Sequence, residues 1–284
     1  MRTDLAELWR FRGLLWQLVR RDLKVRYKNS RLGFLWSIAP PLMQVAVITF
    51  AFTRATDFAR IPNYSAYVLV AMIPWTYFST AILDSSQSIL MMMGVIRKVY
   101  LPREVIPLSA AISNFIHFLM SWGVFFLYWY GFRRAPILST TIWFPYLILC
   151  QFMLVTGISL FVSALNVFYE DVKYMISIGM NLLLFVLPIM YLVETVAYKS
   201  SIGKGKLSHQ PWAIELYMLN PLTALINGFR KSLLEAVPPS SIAGGEYLPL
   251  DVPSLIITGF IAFGVLLGGY AYFNARKWQF VERP

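Results

Sequence analysis

Six stretches of this chain are free of formal charge and long enough, at about 20 residues or more, for a helix to cross the hydrocarbon core of a bilayer. They lie within Leu32 to Thr53, Ile61 to Leu83, Val105 to Phe132, Ala135 to Tyr169, Tyr174 to Val193 and Val252 to Ala275. The third and fourth are long enough to tilt or to be trimmed. Composition agrees: 58% of the 284 residues are hydrophobic and 14% charged, against about 25% charged in soluble domains. Mean hydropathy is +0.59. These values exclude an ordinary soluble protein and leave no room for a separate soluble catalytic domain. The fold class expected is all-α and integral to the membrane, with six transmembrane helices.

An even number of crossings returns the chain to the side on which it began. Most of the 25 Lys and Arg residues precede the first stretch, follow the second and fourth, or close the C-terminus, so the positive-inside rule places both termini in the cytoplasm. The net charge of +11 lies beside apolar segments and forms no basic domain, so anionic lipid headgroups suit it better than nucleic acid. Cys150, the single cysteine, reads as a buried thiol with no intrachain disulfide.

The first 31 residues are too long and too charged for the start of a secretory signal, and the apolar run after them is too long as well. Within them Leu8, Phe11, Leu15, Leu18 and Val25 recur at helical spacing among Arg10, Arg12, Arg20, Arg21 and Lys24. With Trp9 and Trp16 suited to the headgroup zone, residues 1–31 read as an amphipathic helix on the inner leaflet. Residues 32–275 then form the transmembrane domain and 276–284 a cytoplasmic tail.

The segment from Arg21 through Trp36 carries Arg26, Tyr27, Lys28, Arg31 and Gly33 into the first span. The cations can meet lipid phosphates while Tyr27 and Trp36 bracket the interface, and Gly33 permits close helix approach. Pro40 and Pro41 inside that span favour a kink or a broken helix lining a cavity. This segment resembles the corresponding motif of type-2 ABC exporter permeases, in particular those exporting polysaccharides such as O-antigen, capsule and teichoic acid precursors. Lys98 to Glu104, Asn166 to Lys173 and Asn220-Pro221-Leu222 are similar to further motifs of that family in order and spacing. The resemblance spans nearly the whole chain and implies six spans with cytoplasmic ends.

In the connection from Asp84 to Glu104, Ser85 to Val99 predicts a short helix and Pro102 its breaker. By resemblance, residues 85–104 are the coupling region that docks on a separate ATPase through Arg97, Lys98, Tyr100, Leu101, Pro102, Arg103 and Glu104. The bland alternative is a basic loop that only sets topology. Met91, Met92 and Met93 point to different sides of a helix and suit packing or docking. Glu170 and Asp171 suit the N-terminus of the next helix.

No phosphate-binding loop occurs, since Gly203 to Lys206 lacks the spacing and the hydroxyl residue. ATP hydrolysis by this chain alone is therefore not expected, and no cofactor or bound metal is indicated. By resemblance, two copies pair with two ATPase subunits that bind ATP and magnesium.

Between Glu194 and Asp251 the chain is long for a passive connector. Pro211 to Leu219 and Pro221 to Ala236 read as two short helices, and Arg230 and Lys231 would be costly at a bilayer centre. A re-entrant hairpin over 211–236 on the outer side is the reading, with a seventh span as its rival. By resemblance Trp212 to Leu234 forms an outer gate, with Trp212, Asn220, Pro221, Phe229 and Arg230 as its candidate residues. Trp122, Phe125, Tyr128 and Trp129 are candidate channel lining, since aromatic faces stack on sugar rings, although an interfacial belt explains them equally. His117, with Asn114 one turn earlier, falls near mid-bilayer, where a bond to a neighbouring helix is the simpler role.

The leading function is a permease subunit of an ATP-driven exporter moving lipid-linked polysaccharide across the bacterial inner membrane. A drug or lipid exporter of the same class is the alternative. A membrane glycan-biosynthesis enzyme would need clustered carboxylates or a metal site, and neither an Asp-x-Asp motif nor a His-rich cluster is present. A passive scaffold needs no signature.

Overall fold

The computed structural model describes residues 7–27, 35–55, 61, 63–194, 198–200, 207–209, 211–237 and 248–281. Its helices are α1 (Arg12–Tyr27), α2 (Leu35–Ala55), α3 (Tyr64–Met91), the one-turn α4 (Met93–Ile96), α5 (Val105–Phe126), α6 (Phe144–Phe168), α7 (Val172–Val186), α8 (Pro211–Met218), α9 (Pro221–Leu233) and α10 (Val252–Arg276). A π-helical segment, Leu127–Phe132, prolongs α5; 3-10 turns at Ser139–Trp143 and Lys277–Val281 flank α6 and α10. Two short strands, β1 (Tyr198–Ser200) and β2 (Leu207–His209), pair antiparallel with Lys199 opposite Ser208.

Among the described residues, four helical segments are long and apolar enough to cross a membrane: Tyr64–Met91, Val105–Phe132, Ser139–Phe168 and Val252–Phe280. Pro41–Arg54 of α2, and α7, are apolar but shorter. Assignment of α2 as helix is continuous through Pro40 and Pro41.

α3 is the hub and packs against α2, α5, α6, α7 and α9. α6 is the second hub and carries α10 on its far side. The α6–α10 crossing is close because it is made of glycine: a Cβ on Gly157 would strike the backbone of Val265 and Leu266, and one on Gly269 the carbonyl of Gly157. Small residues let helix backbones approach where lipid offers no hydrophobic drive for association. α1 lies along α5, burying Leu18 and Val19 but leaving Val25 exposed.

Side-chain bonds sort the connections into two ends of the bundle. At one end the Tyr100 hydroxyl donates to the Glu7 carboxylate at 2.7 Å, Lys277 Nζ reaches Glu104 at 2.5 Å and Asn166 Nδ2 donates to the Ser86 carbonyl at 2.9 Å. At the other, Tyr64 donates to the Met190 carbonyl at 2.7 Å, Thr141 to Ser232 at 2.9 Å and Tyr146 to Leu255 at 3.0 Å.

Two local expectations are corrected. No separate helix spans Ser85 to Val99; α3 runs unbroken to Met91, because its continuation is packed, with Ser85, Ser86 and Ile89 fully buried. Asp171 sits at the N-cap of α7 without a side-chain cap bond. Asn166 takes that role: its Oδ1 accepts from the Lys173 amide at 3.0 Å while its Nδ2 holds α3.

Candidate functional site

The chemistry-bearing feature of the fold is a groove of about 700 Å³ running lengthwise between α2, α3 and α5. Helical spacing builds its lining. On α3, Thr76, Thr80 and Asp84 recur every four residues, and on α5, Asn114, His117 and Ser121 recur every three or four, so each set faces the gap as a polar ladder. Leu42 and Val45 of α2, with Leu69 and Ile73 of α3, supply apolar wall. The hydroxyls donate to their own helices, Thr80 to the Thr76 carbonyl at 2.7 Å and Ser121 to the His117 carbonyl at 2.9 Å. That satisfies their protons inside an apolar wall while the oxygens keep acceptor capacity.

A second cavity of about 480 Å³ continues this path toward α1, lined by Arg21, Asp22, Gln87, Ser88, Met91 and Met92 among others. Both cavities are lined by Arg26, Asp84 and His117. At this junction Arg26 donates to Asp84 at 2.8 Å and to Asn114 Oδ1 at 3.1 Å, and Asn114 Nδ2 donates to the same Asp84 oxygen at 2.9 Å. Pairing of the N-terminal motif with the end of the second apolar stretch was not foreseen. The available signal was Asp84 itself, an acid immediately after a charge-free run.

The remaining predicted residues of the N-terminal motif divide. Arg21 pairs with Asp22 at 2.8 Å and contacts the sulfur of Met92 at 3.6 Å. Tyr27 ends α1 and Trp36 lies in the first turn of α2, whereas Gly33 falls outside the described residues.

In the coupling stretch Arg97, Lys98 and Tyr100 are exposed, Leu101 and Arg103 half-buried, Pro102 and Glu104 buried. The Glu104 carboxylate pairs with Lys277 after α10. The hydrogen bond to the Glu7 carboxylate raises the Tyr100 hydroxyl from its ordinary range. Burial lowers the Arg103 guanidinium, against the neighbouring charge of Glu104; the group lies over the rings of Trp278 and Phe280.

The aromatic candidates also separate. Phe125 and Tyr128 line the groove. Trp122 and Trp129 are not among the groove's lining residues: Trp122 packs 5.1 Å from Phe229 and 5.0 Å from Phe144, and Trp129 stacks on Phe125 at 6.0 Å. Edge and offset contacts of this kind are stabilising, and here they bind α5 to α6 and α9.

At the far end the expected pair of short helices is present as α8 and α9. Asn220 caps α9 by accepting from the Leu222 amide at 3.0 Å, with Pro221 at the first helical position. Every residue from Leu222 through Leu233 is buried. Arg230 explains how a cation is tolerated there: it donates to the Tyr67 carbonyl at 3.1 Å, the Tyr67 hydroxyl at 3.0 Å, Ile189 at 2.5 Å and Pro188, and lies 3.6 Å from the Tyr67 ring. Lys231 pairs with Glu194 at 2.9 Å, both buried. Phe229 is fully buried. α9 is thus a fixed wedge, and of the pair only α8 shows exposed residues, Glu215 and Leu216. Trp212 lies in α8.

A family described as ABC-2 type transporter matches residues 13–234. An O-antigen export system permease protein RfbA of Klebsiella pneumoniae is 34% identical over 271 residues, covering 95% of this chain and 94% of the relative. A second protein of that name from the same organism is 30% identical over 269 residues, covering 95% of this chain and 94% of the relative. One from Myxococcus xanthus is 26% identical over 276 residues, with 97% of each chain covered. With a family match over most of its length and a relative this similar end to end, this multi-pass helical membrane protein belongs to the ABC-2 type transporter family.

Proposed function

We propose that the chain is the transmembrane permease subunit of an ATP-driven exporter that carries a lipid-linked, O-antigen-like polysaccharide across the bacterial inner membrane. The observation that carries this reading is the lengthwise groove, whose polar ladders on α3 and α5 alternate with apolar wall. Such a surface offers hydrogen-bond acceptors to sugar hydroxyls and apolar contact to ring faces or a lipid chain. The names of the relatives supply the substrate class.

In this reading α2 and α7 complete six crossings, and the end holding Tyr100, Glu104 and Lys277 is cytoplasmic, as are both termini. α1 lies at the inner leaflet beside the smaller cavity, and α8 with α9 forms a re-entrant hairpin at the outer face. Because no phosphate-binding loop is present in the sequence, ATP and magnesium are bound by a separate ATPase. Two permease copies and two ATPase chains assemble, and the exposed Arg97, Lys98 and Tyr100 meet the ATPase. ATP-driven closure of the partner moves the connection between α3 and α5, and Glu104–Lys277 passes that motion to α10.

The test is affinity purification of the chain from its native membranes in mild detergent, with mass spectrometry and a nucleotide-hydrolysis assay. A co-purifying ATPase whose rate rises with lipid-linked glycan supports the reading. Stimulation by lipids or small apolar compounds instead would favour the drug or lipid exporter, and no ATPase under several gentle conditions would sink the exporter altogether.

A further inference from the structure

The junction of the two cavities carries a feature that the exporter reading leaves unused. Arg26, from α1, reaches across to Asp84 at the lower part of α3, and Asn114 of α5 bonds both, so three elements close a ring of contacts where the cavities meet. The arginine and aspartate side chains are 38% and 45% exposed. An ion pair this open to solvent is weak and readily exchanged. A second exposed ion pair stands nearby, because Arg21 lines the smaller cavity and pairs with Asp22 at 2.8 Å.

We propose that Arg26 and Asp84 form a displaceable latch. The oxygens of a phosphate or diphosphate ester replace the Asp84 carboxylate as the partner of Arg26, and the cavities of about 480 and 700 Å³ become one passage. The chemistry fits. Guanidinium presents its donors in a planar fork that matches phosphate oxygens as well as carboxylate, and a doubly charged diphosphate outcompetes a single carboxylate. Asn114 keeps Arg26 aimed at the junction once Asp84 has let go, since its Oδ1 accepts from the guanidinium independently. The latch rests on the exporter reading for its substrate, a lipid carrying its glycan through a phosphate linkage.

The latch assigns opposite signs to its two halves, which a merely structural ion pair would not. Arg26→Gln removes the phosphate ligand, whereas Asp84→Asn removes its competitor. Binding of a polyprenyl diphosphate is titrated to the purified full-length chain in detergent by tryptophan fluorescence. Polyprenol, phosphatidylglycerol and inorganic pyrophosphate serve as comparison probes. R26Q weakens diphosphate binding about tenfold, the effect of losing one charge-assisted hydrogen bond, and D84N tightens it several-fold. Arg26→Lys keeps the charge but not the fork and falls between wild type and R26Q, which guards against a variant that fails to fold. Polyprenol binds all variants alike.

If phosphatidylglycerol shows the same opposite pattern, the latch stands and its ligand is the bilayer headgroup; if pyrophosphate does, free phosphate suffices. If R26Q and D84N move binding in the same direction, or neither moves it, the latch is overturned. The assay needs neither ATPase nor transport. An unchanged pattern in a chain that still restores export therefore removes the latch alone, and the expected pattern in a chain that restores none removes the exporter reading alone.

Discussion

Single residues in this protein are decided by whether their charge is answered. Glu104 and Lys277 face each other with almost no solvent access, so Glu104→Gln removes the carboxylate that answers a buried ammonium and costs about 3–5 kcal/mol. Thermal unfolding in detergent will show a clear drop for E104Q, and the double variant E104M/K277M will recover most of it, since an apolar pair of similar volume leaves no orphaned charge. The sequence marked Glu104 as a functional position but not the direction of its side chain. That direction depends on Lys277, distant in the chain, and no local pattern encodes such a pairing. Asn166 teaches the same lesson. Its motif was visible, yet the cap it supplies to α7 was assigned to the acids beside it, and Asp171 sits at the cap position without making the side-chain bond.

At the scale of elements, the α6–α10 crossing is the tightest contact that glycine makes possible. Gly269→Val forces apart two backbones with no side chain to give way. It should cost at least the 1–3 kcal/mol typical of overpacking and lower the yield of folded protein. Gly268→Val, one residue away with nothing within reach of an added Cβ, should be nearly silent in the same expression and melting assay. Long apolar elements were legible from their length and lack of charge, and the starts of α5 and α10 fall where the charge pattern put them. Two boundaries were not. α3 continues past the charge of Asp84 to Met91 because its continuation packs against the neighbouring helices, so burial rather than hydropathy sets where it stops. α7 ends early at Val186, where Tyr191 and Tyr217 place their hydroxyls on its last carbonyl.

For the whole molecule, the groove and the exposed coupling residues should be separable. Thr80→Trp puts an indole where the ladder runs. It should abolish polysaccharide export in a complementation assay while the ATPase still co-purifies. Arg97→Glu with Lys98→Glu lies on solvent-exposed positions and should leave stability within about 0.5 kcal/mol but reduce both ATPase recovery and export. Retained export in the second variant would count against the docking assignment. Aromatic residues predicted for the channel are half in it and half in the core, because position along α5 fixes height and only the packing of α9 fixes which face is open. That packing also has a history. Apart from the bonds of Lys231 to the carbonyls of Leu248 and Pro249, the polar partners described for α9's two cations, on Tyr67, Pro188, Ile189, Tyr191 and Glu194, precede it in the chain. Most of the receptor for this doubly charged helix is therefore synthesised before the helix itself, and the last groups to answer its charges, at Leu248 and Pro249, come with the approach to α10.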